Sequence, residues 1–196
     1  MLLNSMERIG LFGGSFNPVH LGHLLIAQAA VQELDLAHLA FIPAAQSPFK
    51  PEAQLASAAQ RLRLLRLALA GQTRCSIDDQ EIRRGGISYS IDTVRDYAAR
   101  FPHAQLWYVI GGDHARLLPK WRAAEELATL VRFAVIPRPG QEANGLPPPF
   151  LGTALRGWAL AVSASEIRER VRAGLSLDWL VPSAVAEAIR NNRLYL

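Results

Sequence analysis

Apolar positions along the chain come in two rhythms. Short continuous apolar runs stopped by Gly or Pro alternate with longer stretches in which apolar residues recur at helical spacing. Residues 8–12 predict a buried strand, closed by Gly13-Gly14. Over residues 21–34, Leu21, Leu24, Leu25, Gln28, Val31 and Leu34 form a mostly apolar helical stripe. Residues 39–42 predict a second strand stopped by Pro43. Residues 57–70 predict a helix ended by Gly71, with Leu62, Leu65 and Leu69 inward and Arg61, Arg63 and Arg66 outward. A strand is expected over residues 73–82, then a turn at Gly85-Gly86. Residues 90–101 follow as a helix with Ser90 as a plausible N-cap.

The second half continues in the same way. Residues 106–110 predict a strand ending in Gly111-Gly112-Asp113, residues 123–130 a helix, and residues 131–136 a strand. Residues 137–149 are rich in Pro and Gly and predict a loop. A last short strand is expected over residues 158–162, with Trp107 and Trp158 read as core, and helices over residues 164–173 and 182–191. Strands alternating with helices predict a doubly wound, Rossmann-like parallel sheet covered on both faces. No internal repeat and no clean boundary interrupts it, so residues 1–196 are expected to form one domain, with a helical segment of about 163–196 packed on it. Ligands of such sheets sit beyond the carboxyl ends of the strands.

Composition narrows the class. Half of the residues are hydrophobic and 19% are charged, the profile of a globular chain and not of a disordered one. Lys and Arg number 21 against 17 acids, a net charge of +4 that suits a polyanion. No Lys/Arg block and no interleaving with aromatics marks a nucleic-acid surface. Cys75 is the only cysteine, so an intramolecular disulfide is excluded, and its apolar-leaning neighbours make it a small core residue. No run is long enough to span a membrane. The opening Met1-Leu2-Leu3-Asn4 lacks a basic n-region, so no signal peptide is expected. These features together favour the cytoplasm. Oligomeric state stays open, a homo-oligomer included.

The chemistry concentrates just after strands. The first strand runs into Gly13-Gly14-Ser15-Phe16-Asn17-Pro18-Val19-His20-Leu21-Gly22-His23. Two glycines permit a tight turn and close approach of a ligand. The helix that starts near His20 has free first amides and a dipole suited to an anion. His20 and His23, three apart, share a face. Gly22 removes a side chain that would block a phosphate. The run is neither a Walker A loop nor the Gly-x-Gly-x-x-Gly fingerprint. Surface histidines or a metal pair are the alternatives, the latter weakened because no Cys or acidic residue is near.

This run resembles the signature of the nucleotidyltransferases with a His-x-Gly-His motif, which transfer AMP or CMP from a nucleoside triphosphate onto a phosphate acceptor. The resemblance implies that His20 and His23 contact the triphosphate, and that His23 stabilises charge as the α-phosphorus is attacked. Further segments follow in order: Pro43 to Lys50, Ile87 to Thr93, Ile110-Gly111-Gly112-Asp113 with Trp121 eight residues on, and Val162 to Arg168. Together with the tail from Leu180 to Tyr195 they are similar to the bacterial nicotinate-nucleotide adenylyltransferases.

On that resemblance, ATP is expected against Gly13, Gly14, Ser15, His20, Gly22, His23, Gly111, Asp113, Ser163, Ser165 and Arg168, with His20, His23 and Arg168 catalytic. Ser163 and Ser165 open a helix, where hydroxyls and amides can hold phosphate oxygens, although one could be an ordinary N-cap. Arg168 can bridge phosphate oxygens, and Asp113 can accept from ribose hydroxyls or cap a helix. The acceptor, nicotinate mononucleotide, is expected against Lys50, Tyr89, Ser90, Trp121 and Arg138, with the Trp121 ring stacking on the pyridine. Phe49 stands where the family usually has His, Ser47 where it has Pro, and Ser90 where it has Thr. Magnesium is implied, bound mainly through ATP phosphates, with no protein metal cage. The implied reaction gives nicotinate adenine dinucleotide and pyrophosphate, in NAD biosynthesis. Nicotinamide mononucleotide or phosphopantetheine as acceptor, or a non-catalytic nucleotide-binding module, remain the other readings.

Overall fold

The structure, a computed structural model, describes residues 6–49, 55–136, 145–158 and 160–196. Its strands are β1 (Arg8–Gly14), β2 (His38–Pro43), β3 (Cys75–Ile77), β4 (Gln105–Gly111), β5 (Arg132–Ile136) and β6 (Gly152–Ala154). Its helices are α1 (Leu21–Glu33), α2 (Ala58–Ala68), α3 (Gln80–Arg84), α4 (Ser90–Arg100), α5 (Gly112–Ala115), α6 (Ala124–Leu130), α7 (Ala164–Arg172) and α8 (Ser183–Asn191). A 3-10 turn covers Leu118–Lys120.

All strand pairs are parallel, in the order β3-β2-β1-β4-β5-β6. This is the doubly wound arrangement expected, with chain order reversing between β1 and β4. Period-two alternation sends the central strands' side chains to both faces. Ile9, Leu11, Ala40, Ile42, Leu106, Tyr108 and Ile110 enter one core with Ile91, Val94 and Leu127 of α4 and α6. Phe12, Leu39, Phe41, Trp107 and Val109 enter the other, with α1, α2 and the C-terminal helices through Ile167, Val185 and Ile189. Residues from 167 onward thus share a core with the first helix.

Several local expectations are corrected. Only Cys75–Ile77 of residues 73–82 is strand, and Ile82 lies in α3. The edge strand is Gly152–Ala154, and no strand forms in the described part of residues 158–162. After β6, the backbone N–H groups of Arg156 and Gly157 donate to the Glu33 carboxylate (2.9 and 2.8 Å). Gly157, at φ 47°, turns the chain off the sheet. Trp158 is consequently 55% exposed and not core. On α2, Leu65 and Leu69 are buried as expected, joined by Leu64, but Arg61 is buried too. Its guanidinium donates to the carbonyls of Ser15 (2.9 Å) and Ala56 (3.2 Å), which satisfies the charged head inside. Cys75 is half-buried against the α1–α2 core, and burial pushes its thiol pKa up.

Candidate active site

The carboxyl ends of β1 and β4 open into two adjoining cavities that share Ser15 and His114. The larger holds about 840 Å³, the smaller about 220 Å³.

In the larger cavity the His-x-Gly-His run takes a definite shape. His20 is the extended N-cap of α1 and His23 the third helical residue. The rings stack with centroids 3.7 Å apart and planes 29° apart. The His20 backbone N–H donates to His23 Nδ1 (3.2 Å). Neutral His23 therefore carries its proton on Nε2, which makes Nε2–H the ring's donor. His23 lines the cavity, with Phe12 and Phe16 against its ring. His20 is only 7% exposed, borders neither cavity and leaves its Nδ1 without a hydrogen-bond partner. Burial lowers His20 to about 4. Burial, and then the charge of His20, hold His23 well below the usual imidazole value. Both rings are thus neutral at pH 7 before any nucleotide binds. Gly22 has a part beyond the one expected. A Cβ there would lie 3.0 Å from His20 Nδ1 and from Val162 Cγ1, so its bareness also makes room for the imidazole.

The opposite wall is the start of α7. Ser163 is its N-cap, accepting from Glu166 N–H (3.2 Å). Arg168 donates through Nη1 to the Asn17 carbonyl (2.8 Å) and through Nη2 to Ser165 Oγ (3.1 Å). This ties α7 to the loop between β1 and α1. Ser163, Ser165, Arg168 and His23, placed together from sequence, do line one cavity. Arg172, Arg193 and Tyr195 join them.

The smaller cavity gathers residues from both expected sets: Gly13, Gly14, Ser15 and Gly111 with Ser90 and Trp121. Gly13, Gly14 and Gly111, expected on the triphosphate side, border this space instead. A Cβ on Gly13 would collide with the Tyr108 hydroxyl. Ser90 is the first residue of α4 and not its cap, which is Tyr89. Its hydroxyl bonds to the Tyr108 hydroxyl (3.0 Å). Burial, and then Glu81, push Tyr108 well above the usual phenol value. Glu81 itself is buried, and Thr93 Oγ1 (2.6 Å) and Ser88 Oγ donate to its carboxylate. Burial raises its pKa despite these bonds. Ser88 Oγ in turn accepts from Ala45 N–H (2.9 Å), which fastens the loop after β2 to the cavity wall. Trp121 has a buried indole N–H without a partner. Phe49 closes the same space, 5.9 Å from the Trp121 ring and 5.3 Å from His114. Tyr89 and Trp121 also line a side chamber of about 70 Å³.

Of the remaining expected residues, Asp113 is exposed on α5 and borders neither cavity. Lys50 and Arg138 lie outside the described residues. Sequence reasoning missed His114, Glu81, Tyr108 and Tyr195. His114 follows Gly-Gly-Asp at a strand end and was within reach of the same rule that found Asp113. Glu81 was hidden by the strand expected over its segment.

A parallel sheet with a phosphate-type helix start beside its switch point defines a nucleotidyl-transfer class of protein, and the chain belongs to the cytidylyltransferase-like family, which matches residues 11–170. Near full-length relatives sharpen this. The chain is 40% identical over 97% of its length, and the whole of the relative's, to a Herpetosiphon aurantiacus protein named "probable nicotinate-nucleotide adenylyltransferase". It is 42% identical to an Opitutus terrae protein of the same name, over 96% of this chain and 97% of that one. Within its class the chain is therefore a member of the nicotinate-nucleotide adenylyltransferase family. In fold it is similar to the Plasmodium falciparum nicotinic acid mononucleotide adenylyltransferase solved in complex with NaAD. That likeness has a TM-score of 0.78 at 15% identity, over 96% of this chain and 97% of that chain. Among the described residues no helix is long and apolar enough to cross a membrane.

Proposed function

We propose that the protein transfers the adenylyl group of ATP to nicotinate mononucleotide, releasing pyrophosphate. The observation that carries this is the pair of cavities meeting at Ser15 and His114. One is lined by imidazole, serine and guanidinium groups suited to a triphosphate, the other by aromatic rings and hydroxyls suited to a pyridine nucleotide.

A phosphate oxygen of the acceptor attacks the α-phosphorus of ATP in line. The bond from that phosphorus to the bridging oxygen of the β-phosphate breaks, and pyrophosphate leaves. The acceptor phosphate is already a nucleophile at neutral pH, so no general base is required. Catalysis is alignment plus stabilisation of developing negative charge. His23 Nε2–H, the α7 amides and Arg168 supply donors from opposite walls of the larger cavity. His20 holds His23 through its backbone N–H and its stacked ring. Magnesium would neutralise the triphosphate. It would be held mainly by phosphate oxygens and water.

Pyrophosphate release with ATP, magnesium and, in turn, nicotinate mononucleotide, nicotinamide mononucleotide and phosphopantetheine tests the proposal. Fastest turnover is expected with the nicotinate acceptor. ATP binding without pyrophosphate release from any acceptor would overturn it in favour of a nucleotide-binding module.

A further inference from the structure

Nicotinate and nicotinamide mononucleotide have nearly the same shape and differ by one negative charge. An enzyme that separates them needs a donor or cation where the ring substituent lies, because shape alone discriminates weakly. The 220 Å³ cavity supplies no Lys or Arg side chain among its described lining residues, and its buried acid Glu81 has the wrong sign. The 70 Å³ chamber that continues it shares Pro48, Phe49, Ser90 and Trp121 with it and adds Tyr89, Lys120 and Arg122. Among the described residues, the basic side chains that line the aromatic end of the site are therefore in this chamber.

Arg122 differs from the arginines around it. Arg95 is spent on Glu126 and Asp92, Arg100 on Asp78 and Asp96, and Arg83 on Asp78 and Asp79. Arg122 has no carboxylate partner among the described residues. Its guanidinium carbon instead sits 4.6 Å from the centre of the Tyr89 ring. A cation stacked on an aromatic face is held in place while its N–H edge stays available for a planar anion. Tyr89 caps α4 and Ser90 begins it, so the stack is anchored beside the hydroxyl that already lines both spaces.

We infer that Arg122 is the specificity-determining residue that selects an acid over an amide on the acceptor's pyridine ring. The inference rests on the adenylyl-transfer reading above. With the ring against Trp121, its carboxylate enters the chamber and accepts hydrogen bonds from the guanidinium, with Ser90 alongside. A neutral carboxamide cannot repay the same desolvation of the cation.

The test compares kcat/KM for nicotinate and nicotinamide mononucleotides in the wild type, Arg122→Met and Arg122→Gln, each checked for folding by circular dichroism. Because the site is solvent-exposed, the ratio of the two specificities should fall about tenfold in Arg122→Met. The fall should come through a higher KM for the nicotinate acceptor, with KM for ATP unchanged. Arg122→Gln keeps a polar stem of similar reach without charge, and should fall in the same direction. A folded variant whose ratio stays within about twofold of the wild type, or which loses both acceptors equally, overturns the assignment of Arg122. A wild type that turns over neither acceptor overturns the reading beneath it instead.

Discussion

Mild acid should destabilise this protein above the pH at which its carboxylates protonate, and the cause is His20. Burial lowers its folded pKa to about 4, from the 6.5 usual for a solvated imidazole. A depressed imidazole makes the unfolded chain the better proton binder, so stability rises with pH across this window. The contribution is fully present above 6.5 and is lost as the pH falls toward 4. Linkage puts the loss at about 2 kcal/mol between pH 7 and pH 5, and about 3 kcal/mol as the pH nears 4. His23 is also depressed and adds in the same direction. Asp78 does not enter this window. Burial pushes it up, but hydrogen bonds from Arg100, Tyr97 and Gln80 outweigh that and hold it below the usual 3.8. Glu81, raised by burial, acts with the opposite sign. A comparison with His20→Asn removes the Glu81 background and reports the imidazole pair, because Asn is itself a good N-cap and does not titrate. Urea denaturation of the two proteins at pH 7 and pH 5 should show the variant losing about 2 kcal/mol less than the wild type. Parallel losses would refute the idea that His20 is buried as a neutral ring.

His23→Ala should lower kcat by about 10²–10³, the usual cost of one preorganised donor. ATP affinity, measured by calorimetry, should change far less, and near-normal turnover would remove His23 from the mechanism. Gly13→Ala should lower the thermal midpoint, because the new Cβ meets the buried Tyr108 hydroxyl. A cost of about 1–3 kcal/mol is typical of such overpacking. The acceptor's KM should rise with it, since Tyr108 bonds Ser90 at the cavity wall.

The residues that could be read from sequence are those whose role depends on the local backbone. The start of α1 and the start of α7 are set by neighbours within a few positions, so His23, Ser163, Ser165 and Arg168 came together as expected, whereas Gly13 and Gly14 are the last residues of β1 and not the turn expected there. The parallel, doubly wound class of the sheet followed from alternation, but not the order of its strands. What stayed hidden depends on contacts across the chain. Arg61 reads as an exposed helix residue until the Ser15 and Ala56 carbonyls appear beside it. Glu81 becomes a wall of the site only when Thr93 and Ser88 donate to it. The strand at residues 158–162 failed because Glu33, more than 120 positions earlier, takes the backbone donors of Arg156 and Gly157. No short window of sequence contains both ends of the Arg61–Ser15 or Glu33–Gly157 bonds.

The neutral state of the imidazole pair decides the chemistry these rings can do. Two cations with ring centroids 3.7 Å apart would repel each other and would bind the triphosphate strongly before reaction. Binding shared equally by ground state and transition state does not raise kcat. A neutral Nε2–H donor binds the resting phosphate modestly, and its hydrogen bond strengthens as negative charge grows on the oxygens around the α-phosphorus. The stacked His20 ring and its backbone N–H fix the His23 ring in advance, so little reorganisation accompanies that change. Gly22 belongs to this device, because a Cβ there would crowd the His20 ring that holds its partner.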